Sequence, residues 1–180
     1  SMAIFLFAGH SNADPGATGV RGRTEAVETI ALREAVRRHF TAAYKVMIDD
    51  NRDSLSTVLA KAVTGSGSVV LDLHFNASAS SDATGVEVLV GDDAQANDLA
   101  LARDVLDVVV KATGLRSRGI KREGETPRKR LGVMRESGAV CLLEVCFISN
   151  PDDMAAYDAA IDTIAQNLAL VLMRHDDKVK

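Results

Sequence analysis

Val140-Cys-Leu-Leu-Glu-Val-Cys-Phe147, followed by Ile148-Ser-Asn150-Pro151, is the stretch on which the fold reading turns. Its first eight residues are apolar apart from one carboxylate, Glu144. A continuous apolar run of this length, closed by turn residues, reads as a buried strand. Cys141 and Cys146 are five residues apart, so a strand sends their side chains to opposite faces. They cannot bridge each other or share a metal, and two buried thiols are the expectation. Asn150-Pro151 is a helix start with proline at the first helical position. The helix it opens runs to about Arg174, with Tyr157, Ile161, Ile164, Leu168 and Val171 in its apolar stripe, and residues 176–180 are expected to fray.

Upstream, the same strand-then-helix order repeats. Ala3 to Ala8 is a short apolar strand that stops at Gly9-His10, and a loop rich in Gly, Asp, Asn and Pro follows. A helix fits Glu25 to about Thr41, with Val27, Ile30, Ala31, Ala35 and His39 on one side and Arg33, Glu34, Arg37 and Arg38 largely on the other. Strands fit Tyr44–Ile48, Val69–His74, Gly85–Val90 and Leu131–Met134. A short helix capped by Ser54 reaches Val63, a turn occupies Thr64–Ser68, and a long helix fits Asp93 to Thr113. Arg116 to Arg130 has few apolar residues and reads as loop. Strands alternating with helices give an α/β class. The expectation is one domain over residues 1–180, a mostly parallel mixed sheet of about six strands with helices on both faces.

Composition agrees. At 180 residues, with 47% hydrophobic and 26% charged residues, the chain can build a core without staples. A formal net charge of −4 argues against a global attraction to nucleic acid, and no nucleic-acid partner is expected. The longest apolar runs fall far short of the ~20 residues of a membrane helix, so no membrane insertion is expected. The oligomeric state is open, with a monomer as the default.

Chemistry concentrates where strands give way to loops. His10 follows the first strand and His74 ends the third, at the carboxyl edge where α/β sheets bind ligands. Glu25 opens the first long helix, and Glu144 is a carboxylate inside an apolar strand, costly unless compensated. Two imidazoles and a carboxylate with an open fourth position form a catalytic zinc pattern. Each residue also has an ordinary reading: a loop histidine, a glutamate at a helix dipole, a salt-bridged buried glutamate.

The surrounding motifs point one way. Gly9-His10, Asp14-Pro-Gly16-Ala17, Gly19, Gly22 and Glu25 come first. Leu73-His74-Phe-Asn76-Ala77, Gly85-Val-Glu87, Arg118-Gly119 and Leu143-Glu144-Val-Cys-Phe147-Ile148-Ser149-Asn150 follow in that order. The pattern resembles the zinc-dependent N-acetylmuramoyl-L-alanine amidases of the amidase-3 type, from His10 to the last helix. The resemblance implies one Zn2+ held by His10, Glu25 and His74, with Glu144 as the catalytic carboxylate. It implies a peptidoglycan or muropeptide substrate cut between N-acetylmuramic acid and L-alanine. Asn76, Ala77, Arg118, Arg128 and Arg130 are candidate substrate contacts, the arginines from a segment with seven basic residues against Glu123 and Glu125. Three departures stand out. Phe7-Ala-Gly-His10-Ser-Asn12 replaces Asp-Pro-Gly-His-Gly-Gly, Asp72-Leu-His74 replaces Ser-Ile-His, and Cys146 replaces the glycine before Phe-Ile-Ser-Asn.

Two alternatives remain: a catalytically silent wall-binding module on the same fold, and another zinc amidohydrolase or carboxypeptidase. Ser1-Met2 reads as a tag remnant before a start methionine, and the short first apolar run lacks the basic flank of a signal peptide. On that reading the protein is made in the cytoplasm and acts on the wall after release, as a phage or prophage endolysin does. A chain trimmed of its leader would instead be secreted.

Overall fold

A computed structural model describes residues 3–10, 15–49, 69–126 and 138–179. Its six-stranded sheet is built from β1 (Ile4–Ala8), β2 (Val46–Ile48), β3 (Val69–Asn76), β4 (Val86–Val90), β5 (Ser117–Arg122) and β6 (Ala139–Phe147), in the order β2-β1-β3-β6-β4-β5. β2, β1, β3 and β6 run parallel to one another. β4 is antiparallel to β6, and β5 is parallel to β4. Three α-helices are described: α1 (Glu25–Arg37), α2 (Ala96–Thr113) and α3 (Pro151–Val179).

Side-chain alternation divides the sheet into two unlike faces. Ile4, Leu6, Leu71, Leu73, Val88, Cys141 and Leu143 point to one face and join a single core with buried residues of all three described helices. Phe5, Phe7, Val70, Leu89, Val140 and Leu142 form a smaller apolar cluster on the other. No residue of the described helices belongs to this second cluster. Both cysteines are free and buried, as the sequence suggested.

Buried carboxylates lock the elements together. Asp98, in the first turn of α2, accepts the Gln95 N–H at 2.8 Å and the Val140 N–H at 2.9 Å, fixing α2 to the start of β6. Asp153, in the first turn of α3, accepts the Gly85 N–H at 3.1 Å, the Phe147 N–H at 2.9 Å and the Thr84 hydroxyl. It thereby joins the start of β4 to the end of β6. Asn150 caps α3, its Oδ1 accepting the N–H groups of Asp152 and Asp153 at 2.8 and 3.1 Å.

Several expectations change. Arg116 to Arg130 is not a loop throughout, because Ser117–Arg122 forms the edge strand β5 beside β4. Residues 176–179 are not frayed: α3 continues to Val179, with His175 and Asp176 buried and His175 Nε2 2.7 Å from Asp104. α1 ends at Arg37, short of Thr41. Its buried side is also rotated from the expected stripe, for Val27 is exposed while Leu32, Arg33 and Val36 are buried. Arg33 reaches Asp49 at 2.9 Å, so an ion pair takes a place that hydrophobicity alone would not assign to arginine. The helix expected from Ser54 to Val63, the turn Thr64–Ser68 and the strand Leu131–Met134 lie outside the described residues, as do Arg128 and Arg130.

Candidate metal centre

The site begins where β1 ends. β2 stops at Ile48, and the Ala8 N–H, the first beyond its pairing, donates to Asp49 Oδ1 at 3.1 Å. The Gly9 N–H donates to the Leu73 carbonyl at 2.7 Å, which keeps the chain against β3 as it turns into His10. Two glycines make room for the imidazoles. A Cβ on Gly9 would lie 2.2–2.5 Å from three atoms of the His74 ring, and Gly16, at φ +70°, lies where a Cβ would meet the His10 ring at 2.6 Å.

Glu25 opens α1 just after the Thr24 cap, whose hydroxyl accepts the Val27 N–H at 3.3 Å. The Glu25 carboxylate is buried, with Oε1 accepting the Ala17 N–H at 3.1 Å and Oε2 the Phe75 N–H at 3.3 Å. Oε2 also sits 3.2 Å from both His10 Nε2 and His74 Nδ1. The rings meet edge to face, centroids 5.3 Å apart. One donor atom from each of His10, Glu25 and His74 falls within 4.8 Å of the others, so the structure gathers the three residues scattered in sequence.

Burial pushes the Glu25 carboxyl up, but contacts with His10 and His74 outweigh it and hold the group well below the usual carboxylate range. Burial pulls the His74 imidazole down, yet Asp72, Glu25 and Glu144 together raise it to about 10.

Glu144 is the β6 register partner of His74, and Glu87 on β4 is the register partner of Glu144. The three form a polar row across β3, β6 and β4 on the sheet face away from the described helices. A cleft beside this row is lined by Glu25, Asn76, Ala77, Glu87, Thr126 and Glu144, among others. Asn76 donates from Nδ2 to Glu87 Oε1 and accepts the Ala77 N–H at 3.0 Å. Arg118 borders the cleft: its guanidinium stacks over Phe147 at 5.0 Å and its Nε is 3.7 Å from Glu87, one of the lining residues.

Three charged groups take contacts that the sequence does not assign them. Lys121 Nζ is 2.6 Å from Glu87 Oε2, on a strand read as loop. Glu87 was quoted only as part of a motif, although Val86, Val88 and Val90 alternate around it and mark it as facing away from their core. Asp72 was noted only as a departure, and its Oδ2 lies 3.1 Å from His74 Nε2.

The Amidase_3 family, described as N-acetylmuramoyl-L-alanine amidase, matches residues 4–173. The chain belongs to the N-acetylmuramoyl-L-alanine amidase family. Solved structures share the amidase fold. N-acetylmuramoyl-L-alanine amidase from Clostridium difficile 630 superposes with a TM-score of 0.81 at 21% identity, covering 100% of this chain and 99% of that one. The catalytic domain of CwlV from Bacillus (Paenibacillus) polymyxa var. colistinus gives 0.75 at 23% identity, with 100% of both chains covered. The catalytic domain of the CD27L endolysin targeting Clostridia difficile gives 0.71 at 21% identity, covering 97% and 98%. No curated protein sequence matches this amidase-family chain. The family match spans His10, Glu25, His74 and Glu144 together.

Proposed function

We propose that this protein is a zinc-dependent peptidoglycan hydrolase that cleaves the amide between the lactyl group of N-acetylmuramic acid and L-alanine. The observation that carries the reading is the convergence of His10, Glu25 and His74 beside a cleft whose lining includes Glu144, the register partner of His74. The donor set suits zinc. Two imidazole nitrogens and one carboxylate oxygen, each held by the fold before any ion arrives, leave room for a non-protein ligand. When bound, zinc supplies Lewis acidity, lowering the pKa of a coordinated water to about 7 and polarising an amide carbonyl.

The chain's own residues do the rest. Glu25 accepts the Ala17 and Phe75 N–H groups, which fixes its carboxylate plane, and Gly9 and Gly16 let the two rings close on it. Glu144 accepts the proton of the attacking water at a carboxylate oxygen and passes it to the departing alanine nitrogen, which leaves as a neutral amine. Glu87, held by Asn76 and Lys121, places a second compensated carboxylate beside this path. The silent wall-binding alternative draws no support, since the three donors and Glu144 are all retained.

The metal half of the reading is tested by elemental analysis. Wild type loaded with zinc and freed of excess is expected to keep one ion per chain, and His74→Ala to lose it. Stoichiometric zinc in the folded variant would refute the ligand set.

A further inference from the structure

Asp72 is nearly fully buried, at 2% exposure, on the sheet face that carries His74 and Glu144. Its register partners are Phe7 on β1 and Leu142 on β6, both members of the apolar cluster on that face. A carboxylate between two such neighbours is unfavourable unless something charged or polar compensates it. Among the described residues its one ion-pair partner is His74, with Oδ2 3.1 Å from Nε2. The opposite ring nitrogen, Nδ1, faces Glu25 Oε2 at 3.2 Å, and the ring packs against the backbone of Gly9. The His74 ring thus has a carboxylate oxygen at each nitrogen, hydrogen-bonded at Nδ1 and at ion-pair distance at Nε2, and the Gly9 backbone on one face. It is held in the orientation that turns Nδ1 toward the donor cluster.

We infer that Asp72 is a positioning residue for the metal centre: it takes the proton-bearing Nε2 of His74, fixes the Nδ1-ligating form of the ring and makes that nitrogen a stronger donor. The inference rests on the zinc reading above and concerns a buried carboxylate to which that reading gives no role. A carboxylate behind a metal-binding histidine typically contributes 10–100-fold in metal affinity. A serine at position 72 is too short to make the same contact, so the aspartate adds an orienting charge from within β3 itself. Two residues along a strand return to the same face, which is why position 72 can reach the ring of position 74.

The test is the zinc dissociation constant of folded wild type, Asp72→Ser and Asp72→Asn, measured by competition with a chromophoric chelator. Circular dichroism and melting of the metal-free proteins report the fold. Asp72→Ser is expected to bind zinc 10–100-fold more weakly, and Asp72→Asn, which keeps an oxygen within reach of Nε2, to recover part of that loss. The visible spectrum of the cobalt-loaded protein is expected to change in Asp72→Ser, since the ring is no longer held. If Asp72→Ser does not fold, the same comparison is made with Asp72→Asn, for which a several-fold loss is expected. Zinc affinity within about twofold of wild type in the folded variants, with only the melting temperature lowered, would make Asp72 a packing residue and overturn the inference. Failure of the zinc reading is distinguishable, because wild type itself would then hold no stoichiometric zinc and His74→Ala would change nothing.

Discussion

Glu144 is 3% exposed in a strand whose other members, from Ala139 to Phe147, are all apolar and buried. An unused carboxylate would be a poor choice there, and a proton acceptor beside the proposed metal centre gives it a task. Glu144→Gln keeps the shape and most hydrogen bonding but cannot take a proton. Turnover is expected to fall by a factor on the order of 10² or more, with zinc content and melting temperature near wild type. Lost stability with activity per folded molecule retained would make Glu144 structural instead. His74 sets the pH behaviour. In the metal-free protein its folded pKa is raised to about 10 from 6.5, so its contribution to stability is complete below about 6.5 and fades as pH climbs toward 10. On the proposed reading, zinc binding displaces that proton. Calorimetry near pH 7 in two buffers is expected to show about one proton released per ion, with affinity rising with pH. Binding without proton release would contradict this charge state. The motifs mark His10, Glu25, His74 and Glu144 as candidates, and the fold brings the donor atoms of the first three together. The contacts of Asp72, Glu87 and Lys121 were not, because strand register makes them and no local spacing encodes it.

At the scale of elements, the N-termini of α1 and α3 were legible. Thr24 and Asn150 are short polar caps whose side chains satisfy helix N–H groups wherever such residues precede a helix. The rotation of α1 was not. Its buried face includes Arg33, whose guanidinium reaches the Asp49 carboxylate at 2.9 Å and the Asp49 carbonyl at 3.2 Å. Asp49 in turn holds the Ala8 N–H, two residues before His10. Hydrophobic periodicity places arginine outside, and only a partner 16 residues away reverses that. Both side chains are 2% exposed, so removing one strands a buried charge. Arg33→Met is expected to cost about 3–5 kcal/mol in chemical denaturation, against near-neutral values for a solvated arginine. A cost below about 1 kcal/mol would show the pair to be solvent-screened. β5 escaped the sequence reading for a related reason: an edge strand with exposed and half-buried positions carries few apolar residues to announce it.

For the whole molecule, the α/β class was legible because the buried strands β1, β3 and β6 are largely apolar runs. The count of about six agrees through a different member, since β5 belongs to the sheet while Leu131–Met134 lies outside the described residues. What alternation could not convey was the division of labour between the faces. One face is covered by the three described helices, and the other carries His74, Glu144 and Glu87 in a row beside the cleft. The parallel strands bring His10 and His74 to their carboxyl ends, where α1 delivers Glu25, as expected for ligand sites in sheets of this class. The central claim is that this arrangement hydrolyses one particular amide. The most direct measurement is mass spectrometry of purified peptidoglycan digested by the zinc-loaded protein, with and without a chelator. The account predicts stem peptides released with a free L-alanine amino terminus, glycan strands left uncut, and no release in the chelator until zinc is restored. Cleavage of glycan or of peptide cross-links, or release of L-alanine termini undiminished by the chelator, would contradict it.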